Sequence, residues 1–98
     1  MRKINNFTEM DQEKKQIVLF SMPTCGPCKM MKPGLDFVQR DFENIGVYEI
    51  DATEEPELAA KLNIMSTPTT IYLVDGKEVD RAVGFETVPK IKERLGKI

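Results

Sequence analysis

The chain has 98 residues, with 14 basic and 16 acidic side chains and a formal net charge of -2. We predict one domain over residues 1–98, because this length leaves no room for a second hydrophobic core. The balanced charge excludes a basic stripe for nucleic acid and a polybasic segment for an anionic membrane, and no apolar run approaches the ~20 residues that span a bilayer.

The first half of the chain predicts alternating helices and strands. Thr8–Lys15 has a capping residue followed by helix formers, which predicts a short polar helix. Gln16–Met22 is a nearly continuous apolar run, as expected of a strand buried on both faces. From Gly26 to about Glu43 the apolar residues keep helical spacing, and Pro33-Gly34 should kink this helix. Ile45–Asp51 alternates like a second strand.

The second half predicts a helix, a hairpin and a closing helix. Thr53 caps the predicted helix, which ends near residue 63. Thr69–Val74 and Glu78–Val83 are the strands of a hairpin around a turn at Asp75-Gly76. Apolar residues on one face predict the closing helix in the last twelve residues. The order of elements predicts an α/β fold with a central mixed sheet and helices on both of its faces.

Both cysteines lie in Cys25-Gly26-Pro27-Cys28, at the start of the long helix. Residues three apart share a helix face about 4.5 Å apart along the axis, which suits the ~4.4–6.8 Å between α-carbons of a disulfide. The helix N-terminus stabilises a thiolate, so we expect a lowered pKa for Cys25 and a more ordinary, shielded Cys28. Cys25 would attack a client disulfide and Cys28 would resolve the mixed disulfide. Gly26 admits a second backbone, and Pro27 stiffens the first turn.

Two other interpretations of the cysteine pair are weaker. A disulfide that closes a four-residue ring stabilises a fold by about 1.9 kcal/mol, against about 3 for fifteen residues, so the pair is a poor structural bridge. Two cysteines supply half of a zinc or iron–sulfur site, and the chain has no histidine and no other cysteine. Only a dimer that shares two such pairs would complete a metal site, so we predict no metal.

Three motifs together resemble the thioredoxin family over essentially the whole chain: CGPCK after a buried strand, STPT forty residues later and VGF near the end. The resemblance implies the thioredoxin fold and a cis Thr67-Pro68 bond beside the active-site cysteines, whose backbone hydrogen-bonds to an extended client. Gly84 matches a family glycine that faces the same groove, and Lys29 matches a basic residue that flanks the site. The predicted groove is lined by Met22, Gly26, Pro27, Met65, Thr67 and Val83.

Three positions depart from the family pattern. Thr24 replaces a tryptophan before the first cysteine, and Thr67 replaces an aliphatic residue before the proline. Leu19 replaces a buried aspartate that is thought to take the proton of the second cysteine. We therefore expect slower resolution by Cys28, with its proton going to water or to another carboxylate. Glu49 lies on the neighbouring strand, but the sequence leaves open which face it occupies.

The resemblance implies a thiol–disulfide oxidoreductase that reduces disulfide-containing client proteins. It also implies recharging by a thioredoxin reductase-like flavoprotein, which uses NADPH, so that the chain itself binds no cofactor. The N-terminus lacks the apolar core of a signal peptide, and we expect a cytoplasmic monomer. Two alternatives stay open: a specialised glutaredoxin- or isomerase-like redoxin, and a non-catalytic redox-dependent partner module.

Overall fold

Five strands and three α-helices make up the chain, which a computed structural model describes over residues 1–98. In chain order they are β1 (Arg2–Lys3), β2 (Lys15–Ser21), α1 (Gly26–Asp41), β3 (Ile45–Asp51), α2 (Pro56–Lys61), β4 (Thr69–Val74), β5 (Lys77–Val83) and α3 (Val88–Gly96). A 3-10 helix, Phe7–Glu9, lies between β1 and β2. No helix combines the length and the apolar character needed to cross a bilayer.

The strands form one mixed sheet in the order β1-β3-β2-β4-β5. The strands β1, β3 and β2 are parallel to one another. β4 is antiparallel to β2, and β5 is antiparallel to β4. Leu19 of β2 pairs with Glu49 on one side and with Thr70 on the other. Since paired residues point to the same face of a sheet, these three side chains form one row.

Two apolar layers cover the two faces of the sheet. Ile17 and Leu19 point to the layer that contains α1 and α3, whereas Val18 and Phe20 point to the layer that α2 covers. This alternation along a strand with both faces buried explains why β2 is apolar almost throughout. Helices therefore flank the sheet on both faces, which confirms the predicted α/β thioredoxin fold.

The strands β3 and β4 have the predicted bounds, and the hairpin turn is also confirmed. Asp75 has φ 51° and Gly76 has φ 79°, the pair of positive angles that a tight two-residue hairpin turn requires. Strand β5 begins at Lys77, one residue earlier than predicted.

The polar helix predicted at Thr8–Lys15 is wrong. Asn6 and Glu9 form a capping box around a single 3-10 turn, and the chain is already extended at Met10. The segment has no apolar stripe to pack on the core, so nothing extends this turn into a helix. Lys15 instead begins β2, and the two-residue strand β1 was missed because so short an edge strand carries no periodic pattern.

Two predicted features of the helices need correction or explanation. Thr53 does not cap α2: its hydroxyl donates to the Asp51 carboxylate, and the helix begins at Pro56 with no side-chain cap. Pro33-Gly34 lies inside α1 without ending it. A Cβ at Gly34 would meet Val88 Cγ2 at 3.0 Å, so this glycine permits the close approach of α3.

Packing of α1 on the sheet can be tested at Leu35, which is fully buried. We expect Leu35→Ala to lower the free energy of unfolding by about 2–5 kcal/mol, because the lost contacts leave a cavity. Met30→Ala, on the exposed side of the same helix, should cost less than about 0.5 kcal/mol. Urea unfolding of the two oxidised variants measures both values. Equal losses would contradict this assignment of the buried face.

Candidate active site

The two cysteines form a disulfide at the N-terminus of α1, with their α-carbons 5.3 Å apart. Cys25 is the N-cap residue, and the backbone N–H of Cys28 donates to its Sγ at 3.2 Å. Gly26 and Pro27 occupy the first helical turn, where proline costs no hydrogen bond. The sulfur of Cys25 thus takes the position of a capping oxygen, where free amides and the helix dipole favour negative charge.

The two sulfurs differ in accessibility. Cys25 is 8% exposed, whereas Cys28 is 1% exposed and packs inside the first turn of α1. Thr24, Gly26 and Pro27 around Cys25 are exposed. Cys25 is therefore the more accessible of two largely buried cysteines.

The segment before β4 forms the opposite wall of the site. The Thr67-Pro68 bond is cis, as the resemblance implied. Phe20 near the end of β2 pairs with Thr69 at the start of β4, so Cys25 and Pro68 both lie at the same end of these two strands. Gly84, with φ 93°, donates its N–H to the Pro68 carbonyl at 2.8 Å. Thr67 itself makes no backbone hydrogen bond within the chain, so its peptide groups are free.

An apolar cavity of about 430 Å³ lies between this segment and α2. It brings together three of the predicted groove residues, Met22, Met65 and Thr67. Met65 is 89% exposed. Val83 is exposed and Gly84 is half-buried at the end of β5, outside this cavity. The lining residues that were not predicted come from α2 and its flanks, and most of them are small: Ala52, Thr53, Pro56, Ala59, Ala60, Ile64 and Ser66.

A smaller polar cavity of about 180 Å³ opens between α1 and the sheet. It is lined by Lys3, Ser21, Met22, Pro23, Lys29, Lys32, Glu49 and Asp51. Lys29 contributes to this cavity rather than to the apolar one. The hydrogen bond from the Thr53 hydroxyl, aided by two backbone N–H groups, holds the pKa of Asp51 below its usual value, so this carboxylate is ionised at neutral pH.

Glu49 is the polar side chain of this cavity that the sequence could not orient. It faces α1, in the same row as Leu19, and its carboxylate accepts from Ser21 Oγ at 2.6 Å and pairs with Lys32 Nζ at 2.7 Å. On the other side of Leu19, the Thr70 hydroxyl is buried and has no hydrogen-bond partner within the protein. Leu19, which occupies the position of the expected aspartate, is thus flanked by a carboxylate and a hydroxyl.

Neither cavity offers a metal site. Both cysteine sulfurs are taken up by the disulfide, and no group of three or more His, Cys, Asp or Glu side chains is arranged to hold a metal ion. The chemistry that the site can perform with its own atoms is the opening and closing of the Cys25–Cys28 bond.

Known proteins resemble this chain over nearly its full length. The family model described as Thioredoxin matches residues 2–97. A thioredoxin of Staphylococcus haemolyticus is 38% identical over 95% of this chain and 90% of its own length. One of Staphylococcus aureus is 41% identical over 84% of this chain and 80% of its own.

Solved structures of thioredoxins superpose on this chain. A thioredoxin from Halobacterium salinarum superposes with a TM-score of 0.88 at 24% identity, over 97% of this chain and 87% of its own, which supports the fold. Thioredoxin NaTrxh from Nicotiana alata superposes with a TM-score of 0.79 at 30% identity, over 87% of this chain and 73% of its own.

The two glycines of the site are predicted to respond differently to alanine. A Cβ would meet nothing within 4 Å at either position, but only Gly84 has a left-handed backbone. We expect Gly84→Ala to lower the free energy of unfolding by about 1–2 kcal/mol through backbone strain alone. Gly26→Ala, in the first turn of α1, should be neutral or slightly stabilising. Denaturant unfolding of both oxidised variants checks this, and an unaffected Gly84→Ala protein would contradict it.

Proposed function

The chain belongs to the thioredoxin family and is a thiol–disulfide oxidoreductase, and from this premise we propose that it reduces disulfides of client proteins. Cys25 is the attacking residue and Cys28 is the resolving residue. The observation that carries this assignment is the unequal placement of the two sulfurs. Cys25 caps α1, where the helix N-terminus stabilises its thiolate, and it is more accessible than Cys28, which lies one turn further along.

The reaction balances without any bound group. The Cys25 thiolate attacks one client sulfur, a bond forms between them, and the other client sulfur leaves as a thiolate that takes up a proton. Cys28 loses its proton and attacks Cys25 Sγ, the mixed disulfide breaks, and the second client sulfur leaves. Two electrons pass to the client, and the Cys25–Cys28 disulfide remains.

Client binding is proposed to use the backbone next to the cis proline. The N–H and C=O of Thr67 have no partner in the chain, so an extended client segment can pair with them as an added strand. Met22 and Met65 supply adaptable apolar contacts beside it, and Gly26 and Pro27 present no bulky side chain on the other wall. Val83 and Gly84 border the segment from β5.

A second reaction must reduce the Cys25–Cys28 disulfide back to the dithiol. We propose that an NADPH-linked flavoprotein, similar to a thioredoxin reductase, supplies the two electrons, and that the chain works as a cytoplasmic monomer. The need for a reductase follows from the chemistry of the couple, because the disulfide left after client reduction must receive two electrons from outside the protein. The protein then needs no cofactor beyond its two cysteines.

Single cysteine variants test the proposed roles. With insulin as the disulfide substrate and a dithiol as the reductant, we expect Cys25→Ser to abolish reduction, because the attacking sulfur is gone. When the reduced Cys28→Ser protein is mixed with insulin in the absence of the dithiol, it should instead accumulate a covalent protein–insulin adduct that a reducing agent releases, because attack proceeds and resolution cannot. Mass spectrometry and reduced/non-reduced gels distinguish the two variants.

The opposite result would change the assignment. An adduct formed by Cys25→Ser and not by Cys28→Ser would exchange the two roles. A wild-type protein without reductase activity, but with a biological function that survives replacement of both cysteines, would favour the partner module. A reduction potential well above the reducing end of the thioredoxin-fold range would favour the specialised redoxin.

A further inference from the structure

The resolving step requires a group that removes a proton inside the protein. Cys28 is 1% exposed, and only its thiolate can attack the mixed disulfide. Leu19, fully buried behind α1, has no atom that can accept a proton. The proton of Cys28 therefore goes to water or to another group that faces α1.

Glu49 is a carboxylate of β3 that faces α1. It shares the row of Leu19 and is linked at 2.7 Å to Lys32, which lies four residues after Cys28. Residues four apart lie on one helix face with their Cβ atoms about 5–6 Å apart. The Glu49 side chain is 16% exposed, so it is sheltered without being isolated.

The polar cavity connects this carboxylate to the surface. Its wall includes Met22 and Pro23 of the loop that leads to Cys25, and Glu49 lies on its sheet side. A proton received at Glu49 therefore has a short polar route to solvent, which an acid in the apolar core would lack.

Three lysines line the same cavity as Glu49. Lys29 and Lys32 face the cavity from α1, and Lys3 faces it from β1, where it also pairs with Glu54. Asp51 is the other acidic residue of the lining. Ser21 of β2 and Thr70 of β4 are neutral neighbours, and the Ser21 hydroxyl orients one carboxylate oxygen.

We propose that Glu49 is the proton acceptor for Cys28 during resolution, with Lys32 and Ser21 as its positioning residues. The proposal rests on the proposed reductase function. The proton passes from Cys28 Sγ to a Glu49 oxygen as the Cys25–Cys28 bond forms and the client sulfur leaves, and Glu49 then returns it to solvent through the cavity. During recharging the same carboxylate returns a proton to Cys28.

The aromatic disulfide dithiobis(nitrobenzoate) separates the two steps, because attack by Cys25 releases one coloured thiolate and resolution by Cys28 releases the second. We expect Glu49→Gln to slow the second release on the order of 10- to 100-fold at neutral pH, as loss of a general base does. The first release should keep the wild-type rate. The difference should shrink at alkaline pH, where Cys28 ionises unaided, and this pH profile is the readout that a structural role would not change.

Asp41→Asn is the matched control. Asp41 also joins α1 to a lysine, Lys92 at 2.6 Å, but at the far end of the helix from the cysteines. Both releases should keep wild-type rates in this variant. If Glu49→Gln does not fold, Glu49→Asp serves in its place and should retain a pH-dependent second release.

Two results would count against the proposal in different ways. A second release with the wild-type rate and pH profile in a folded Glu49→Gln protein, with a normal first release, overturns the role of Glu49 alone. Absence of both releases in the wild type overturns the proposed reductase function, and the role of Glu49 with it.

Discussion

The structure of the site depends on the end of β2 meeting the start of α1. A helix N-terminus needs a capping atom, and here the sulfur of Cys25 provides it by accepting the N–H of Cys28. The same geometry leaves Cys25 more accessible than Cys28, and it allows the two to bond with their α-carbons 5.3 Å apart. Both faces of the sheet must be filled to hold this junction in place, which is why β2 is apolar from Ile17 to Phe20.

Long periodic elements and the cysteine motif were readable from the sequence. The bounds of β3 and β4 follow from alternation, and the turn at Asp75-Gly76 follows from its residue types. The cis bond before Pro68 was not derivable from local pattern, since most prolines are trans, and it came from the family resemblance. The helix predicted from the capping residue Thr8 did not form, because the residues that follow have no apolar face to pack on the core.

The arrangement of the polar side chains in the site could not be predicted from the sequence, for a different reason. Whether Glu49 points to α1 or to α2 depends on the register between β2 and β3, and a shift of one residue would reverse it. Its pairing with Lys32 depends on the packing of α1 over that register. The apolar cavity beside Met65 likewise depends on where α2 lies, because the part of its lining that comes from α2 consists of small residues without a distinctive pattern.

The free peptide groups of Thr67 have a consequence for selectivity. A surface that pairs with main-chain atoms is indifferent to most of the side chains that a polypeptide carries. Folded proteins rarely offer such a strand next to a disulfide, since their own backbone groups are already paired. Discrimination would then fall on the conformation of the partner: a cystine in a locally opened or edge segment is accessible, and the same cystine inside an intact sheet is not.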